Sequence, residues 1–150
     1  MFKLSERSRS ELVGVKAELI ACVEYAIQHS KVDFFVDEGV RTLEEQKRKL
    51  AENRTKTLKS KHLTGDAVDL VALIRNKACW EIAVYEKIAD AMKQAAIYHN
   101  IKMRWGGAWV IKDMKTWEGT MREAHLTYIG VRRREGRTPF VDGPHFELMS

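Results

Sequence analysis

Residues 67–74 read Ala67-Val68-Asp69-Leu70-Val71-Ala72-Leu73-Ile74, a nearly unbroken apolar run with one carboxylate inside it. Its length and apolar character predict a strand buried on both faces. A carboxylate there is costly unless it is paired or binds a metal. Asp69 therefore has two readings from this stretch alone, an ion pair with an Arg or Lys, or a metal ligand.

On the amino-terminal side, Val15, Leu19, Cys22, Val23 and Ala26 fall at helical spacing, which predicts a helix over 15–30. Asp33-Phe34-Phe35-Val36 reads as a short strand ending at Gly39. Thr42-Leu43-Glu44-Glu45 is a capping box that starts a helix running to about Asn53. The polar, basic stretch 54–65 reads as a loop feeding the 67–74 strand.

On the carboxy-terminal side, Ile82, Tyr85, Ala89, Met92 and Ala96 mark a helix ending near Asn100. Ile101 to Trp105 is a short strand closed by Gly106-Gly107. Trp117, Met121, Ala124, Tyr128 and Val131 again keep helical spacing, followed by Arg132-Arg133-Arg134. A turn at Asp142-Gly143-Pro144 leads into a terminal strand, His145-Phe146-Glu147-Leu148. Helices mixed with a few short strands predict an α+β fold with a small, mostly antiparallel sheet flanked by helices.

At 150 residues, with 45% hydrophobic and 31% charged residues, the chain suits a single domain, 1–150, with one core. No run approaches the roughly 18 apolar residues of a membrane span, and positive charge at the amino terminus lacks the apolar stretch of a secretory signal. This predicts a product made in the cytoplasm. Cys22 and Cys79 each sit among apolar neighbours and read as buried free thiols. A net charge of +5 suggests affinity for anionic polymers: nucleic acid, anionic lipid or the acidic polymers of a bacterial envelope.

Chemistry concentrates around Asp69. His62 lies in the loop entering the same strand, and zinc accepts both imidazole nitrogen and carboxylate oxygen. A catalytic zinc site needs three protein ligands and an open position, and His145 would be the third. Asp142 stands three residues before it, across the Gly-Pro turn, where a carboxylate can take a proton from an activated water. Glu147 shares a strand face with His145 and reads either as a partner orienting that ring or as a solvated edge carboxylate. A lone histidine is more often structural; the three residues together, with Asp142, are what favour a metal.

The pattern Ser60-x-His62-x-x-Gly65-x-Ala67-x-Asp69, followed by Asp142-Gly143-x-His145-Phe146-Glu147, resembles the zinc D-alanyl-D-alanine carboxypeptidases and L-alanyl-D-glutamate endopeptidases. It is most similar to their bacteriophage endolysin branch. Gly39-Val40-Arg41-Thr42 and Trp105-Gly106-Gly107 extend the resemblance. It implies a hedgehog/DD-peptidase-like fold and one Zn2+ per chain, bound by His62, Asp69 and His145, with Asp142 as catalytic acid/base. Arg41 matches an arginine that holds substrate or steadies the developing oxyanion, a task suited to a fixed guanidinium fork. Arg41 as a surface charge beside a helix cap is the lesser reading, and Ser60 reads equally as a substrate contact or a loop cap.

The implied function is that of a peptidoglycan hydrolase, first an L-alanyl-D-glutamate endopeptidase and alternatively a D-alanyl-D-alanine carboxypeptidase. The resemblance further implies a monomer held in the host cytoplasm until lysis releases it to the wall. One departure is a helical basic segment at about 109–138, longer than the family pattern requires. Residues 110–138 carry seven Lys/Arg against four Asp/Glu. It reads as a helix with a solvated basic end or as a contact surface for envelope polyanions.

Two other classes compete. A non-catalytic zinc-stabilised wall-binding module shares the architecture, but a structural site gains nothing from an acid such as Asp142 beside the metal. Nucleic-acid binding rests on the arginines alone, without a recognisable motif or interleaved exposed aromatics, so no nucleic-acid partner is expected. His29 and His99 read as helix C-terminal charges, and His125 lacks a ligand partner one turn on. Trp80, Trp109 and Trp117 read as core or groove-wall residues, and no phosphate loop or Ser/Cys nucleophile stands out.

Overall fold

The computed structural model describes residues 1–53 and 60–150. The expected strand at 67–74 forms with those bounds as β2 (Ala67–Ile74) and sits at the centre of the sheet. Around it the chain lays down α1 (Glu6–Glu11), α2 (Ala17–His29), β1 (Asp33–Glu38), α3 (Leu43–Ala51), β3 (Lys77–Cys79), α4 (Ile82–His99), β4 (Met103–Trp105), α5 (Met121–Arg134) and β5 (His145–Leu148). Two short 3-10 turns, Lys61–Thr64 and Met114–Thr116, complete it.

All pairings are antiparallel, giving the expected α+β class. One edge of β2 takes β1; the other is shared by β5 at Ala67–Asp69 and β3 at Ala72–Ile74, with β4 beyond β5. Alternation gives the sheet two unlike faces. Phe34, Val36, Val68, Leu70, Ala72, Trp105 and Phe146 turn to the core, against Leu19 and Val23 of α2 and Ile88 and Met92 of α4. Asp69, His145, Glu147 and Arg104 are in register on the other face.

A β-bulge decides one residue's side. Val36 pairs with Leu70, yet Glu38, not Asp37, pairs with Asp69. The extra residue turns Glu38 from the core face to the face that carries Asp69, which is a common use of a bulge near a functional site.

Several sequence expectations are corrected. Of the loop read at 54–65, residues 54–59 lie outside the described residues, and Ser60–Gly65 is a capped 3-10 turn rather than irregular chain. The helix read from Trp117 starts at Met121, because Thr120 and Glu123 form a reciprocal capping box. Trp117 itself caps the preceding 3-10 turn. Arg132, Arg133 and Arg134 do not follow this helix but form its last turn, where cations meet the dipole favourably.

Short elements escaped the sequence reading. α1 is six residues capped by Ser5. β3 forms because Arg75 and Asn76, with φ of 53° and 64°, make a two-residue hairpin turn after Ile74. Cys22 is buried, and burial with nearby Glu18 pushes its thiol up to about 11; Cys79 is only half-buried, on β3. Trp80 is exposed rather than in the core, while Trp109 and Trp117 pack on the core's margin. Among the described residues no helix is long and apolar enough to cross a membrane.

Candidate active site

Asp69 and His145 are direct cross-strand partners on β2 and β5, so the backbone register alone brings their side chains together. His62 arrives from the 3-10 turn. Ser60 caps that turn by accepting from the His62 amide at 3.2 Å, and Gly65 ends it with φ +75°, where a side chain would be strained and a Cβ would lie 2.5 Å from the Gly14 carbonyl oxygen. The turn is also pinned by the Arg41 amide, which donates to the His62 carbonyl at 2.9 Å.

The tautomers follow from the acceptors. His62 Nδ1 lies 2.8 Å from the Gly39 carbonyl and His145 Nε2 lies 2.8 Å from Glu147 Oε1, so both of these nitrogens must donate. That leaves His62 Nε2 and His145 Nδ1 facing Asp69 Oδ1, each at 3.3 Å. One ligand atom from each of the three residues lies within 4.8 Å of the others, and His62 and His145 are buried. Two imidazole nitrogens and a carboxylate oxygen, each ring held by an acceptor on its far side, are a donor set that fits a divalent metal such as zinc.

The charges agree. Burial alone would raise the Asp69 pKa, but hydrogen bonds from His145 and His62 outweigh it and hold the carboxyl well below the usual range. Burial would lower that of His145, but hydrogen bonds to Asp69 and Glu147 raise it to about 9. The field at this spot favours positive charge, and a metal ion displacing the proton would meet the same field.

Glu147 is not a solvated edge carboxylate. It is 5% exposed, and Arg104 Nη2 donates to its Oε2 at 2.9 Å while Lys61 Nζ lies 3.4 Å from the same oxygen. Burial works against its charge, but the hydrogen bond to His145 and the Arg104 charge hold its pKa low. Arg104 also lies over the Trp109 ring, 5.1 Å from its centroid, and Trp109 is tilted against His145 at 5.4 Å.

Arg41 is 8% exposed, so it is not a surface charge. Its Nε and Nη2 fork onto Glu38 at 2.5 and 2.9 Å, and its Nη1 donates to Gln46 at 2.5 Å and to Ser60 Oγ at 3.4 Å. Four of the five guanidinium N–H groups are thereby used, leaving one on Nη2 with no partner among the described residues. Burial disfavours both charges, but the Arg41–Glu38 pairing overcomes it, lowering the Glu38 pKa and raising that of Arg41.

Asp142 is held differently. Its amide donates to the Gly106 carbonyl at 2.9 Å, its carbonyl accepts from the His145 amide at 3.1 Å, and the Gly106 amide donates to the His145 carbonyl at 2.8 Å. A Cβ on Gly106 would lie 2.2 Å from the Asp142 carbonyl oxygen, so only glycine allows this approach. Trp105 Nε1 donates to the Gly143 carbonyl at 2.6 Å. The Asp142 carboxylate has no hydrogen-bond or ion-pair partner among the described residues. Burial and the Asp69 charge raise its pKa, outweighing the opposite pull of His145, His62 and Arg41.

α5 supports the same turn. His125 Nδ1 donates to the Gly107 carbonyl at 2.5 Å, which makes it a structural histidine. The Tyr128 hydroxyl donates to the Phe140 carbonyl at 2.7 Å and accepts from its amide at 3.1 Å, and Phe140 stacks on Trp109 at 6.2 Å. His29 and His99 close α2 and α4, away from the cluster. Sequence reasoning had found His62, Asp69, His145, Asp142, Arg41, Ser60 and Glu147, and all seven belong to this region. It missed Glu38, Gln46, Arg104 and Trp109. The only sequence signal for Glu38 was its place immediately before the Gly39-Val40-Arg41 stretch.

The comparisons with known proteins point one way. A family model described as phage L-alanyl-D-glutamate peptidase matches residues 1–149. The L-alanyl-D-glutamate peptidase of Escherichia phage T5 is 34% identical over 113 residues, covering 72% of this chain and 82% of its own. The crystal structure of Serratia marcescens L-Ala D-Glu endopeptidase ChiX superposes with a TM-score of 0.73 at 32% identity, covering 98% of this chain and 90% of its own.

Proposed function

The chain belongs to the phage L-alanyl-D-glutamate peptidase family, and on that premise we propose that it cleaves the L-alanyl-D-glutamate bond in the stem peptide of bacterial peptidoglycan, with one zinc ion held by His62, Asp69 and His145. The observation that carries the reading is the unlike state of two carboxylates beside one another. Asp69 is hydrogen-bonded and held ionised by two imidazoles, whereas Asp142 is unpartnered with a raised pKa. Such divergence between neighbouring acids marks a division of labour between ligand and proton carrier.

Zinc, when bound, polarises a carbonyl and brings the pKa of water to about 7. The chain's own residues do the rest. The Asp142 carboxylate oxygen, free of other partners, takes the proton from the attacking water and returns it to the leaving amine. Gly106 and Trp105 keep that carboxylate in place through the backbone. Arg41, fixed by Glu38, Gln46 and Ser60, offers its remaining Nη2 hydrogen to the oxygen on which charge develops. Glu147 keeps the His145 ring in the tautomer a metal requires. The enzyme would wait in the host cytoplasm and reach the wall at lysis.

The test is digestion of purified peptidoglycan and of a soluble L-Ala-D-Glu-containing stem peptide, with mass spectrometry of the products. Release of peptides beginning with D-glutamate is expected, abolished by a chelator and restored by zinc. Release of terminal D-alanine alone would replace this reading with a carboxypeptidase. No cleavage by the zinc-replete protein would leave a wall-binding module.

A further inference from the structure

Beside Asp142 lies a pocket of about 300 Å3 lined by Trp80, Ile82, Tyr85, Val141, Gly143 and Pro144, with Asp142 itself forming part of the wall. The pocket is preformed. Tyr85 is 1% exposed, and its hydroxyl accepts from the Ala72 amide at 3.2 Å and donates to the Cys79 carbonyl at 2.7 Å. Gly143 packs so close to this ring that an added Cβ would lie 3.1 Å from Tyr85 Cγ. In the same lining, Trp80, on the link between β3 and α4, is 67% exposed and Val141 is 41% exposed. The exposed indole extends the mostly apolar lining of this concave site, the kind of surface on which small ligands are held.

Resting on the peptidase reading, we propose that this pocket is the subsite for the amino-terminal side of the scissile bond: it takes the alanine methyl against Ile82, and the amino sugar attached to that alanine against the Trp80 ring. Three observations argue for that side. Asp142 forms part of the pocket wall, so an occupant lies beside the residue assigned to carry the proton. Among the described residues its only charged lining residue is Asp142, with no Lys or Arg. The carboxy-terminal side of the bond carries the D-glutamate carboxylate, which would be repelled there, whereas an alanine methyl and the apolar face of a sugar ring are neutral. An exposed indole offers the sugar a flat, rigid surface at low entropic cost.

The substitution Trp80→Ala tests this in the zinc-replete enzyme, since an exposed side chain can be removed without opening the core. Two substrates are compared: a muramyl-bearing stem peptide and the same peptide without the sugar. For the muramyl substrate, KM should rise about tenfold with kcat within about twofold, and Trp80→Phe should recover most of the loss. KM for the sugar-free peptide should change by less than about twofold. Product inhibition fixes the side: inhibition by muramyl-L-alanine should weaken in Trp80→Ala, and inhibition by the D-glutamyl product should not. Equal changes for both substrates, no change for either, or weaker inhibition by the D-glutamyl product would overturn the assignment. A wild-type enzyme that cuts neither substrate would instead overturn the peptidase reading on which it rests.

Discussion

Asp69 and Asp142 lie near one centre, yet the fold holds the first by its side chain and the second by its backbone. Asp69 receives two imidazoles, and those rings are fixed in turn by the Gly39 carbonyl and by Glu147. Both rings are thus oriented by acceptors on their far sides, which suits groups that must present fixed lone pairs to a metal. Around Asp142 the hydrogen bonds run between main-chain atoms of Gly106, Asp142 and His145, with the Trp105 indole on Gly143. The carboxylate is left free. A proton carrier must exchange partners during a reaction, and a side chain locked by hydrogen bonds could not.

The hardest break in this contrast is on the ligand side. His62→Ala or His145→Ala should leave the protein without a stoichiometric metal and without detectable hydrolysis, read by metal analysis and product release on the same sample. A full zinc equivalent retained by both variants would remove the assignment of these rings. On the other side, Asp142→Asn should keep zinc, because the carboxylate lies outside the proposed ligand set, and lose about 10²–10⁴-fold in kcat. Near wild-type turnover would show that another group accepts the proton.

A smaller effect separates the turn from its support. Tyr128 is 1% exposed and its hydroxyl makes both hydrogen bonds to the Phe140 backbone. Tyr128→Phe should cost about 1–3 kcal/mol of stability and lower Tm by about 2–4 °C per kcal/mol lost. Because Phe140 lies two residues before Asp142, kcat should fall several-fold while zinc content stays whole. Loss of metal in this variant would mean that the two sides are not built independently.

What the sequence disclosed follows the same division. Asp69 was conspicuous because a carboxylate in an apolar run demands a partner, and β2 formed with the expected bounds for the same reason. His62, His145 and Asp142 were visible as residue types in a spaced pattern. Glu38 was not, because only the bulge after Val36 turns it toward Arg41, and a bulge leaves no mark in simple alternation. Arg104 and Trp109 join the site through tertiary register and ring contacts that no local period encodes. The start of α5 was readable, since Thr120-x-x-Glu123 is a capping box, but the apolar Trp117 falls at helical spacing upstream and drew the boundary too early. The β2–β3 turn lacks the usual Asn-Gly pair, so its positive φ values at Arg75 and Asn76 were hidden.

The smallest effect concerns the basic end of α5, which lies on the side of the molecule that supports Asp142. Its buried residues, Met121, Ala124, His125 and Tyr128, already serve packing and the turn, whereas Arg133, Arg134 and Arg137 are exposed. Arg132 is half-buried, 3.5 Å from Glu135 and 5.5 Å from the Tyr128 ring centroid, so it is partly structural. Changing Arg133, Arg134 and Arg137 to Gln while keeping Arg132 therefore isolates surface charge from packing. Hydrolysis of a small soluble stem peptide should stay within about twofold, because none of the three touches the site. If this end contacts polyanionic envelope, lysis of permeabilised whole cells should weaken at low salt. The difference from wild type should close as salt rises, since the Debye length falls from about 10 Å at 0.1 M to about 3 Å at 1 M. Equal loss on both substrates would place these arginines in the support of the turn, and no loss on either would make them a solvated helix end that only complements the α5 dipole.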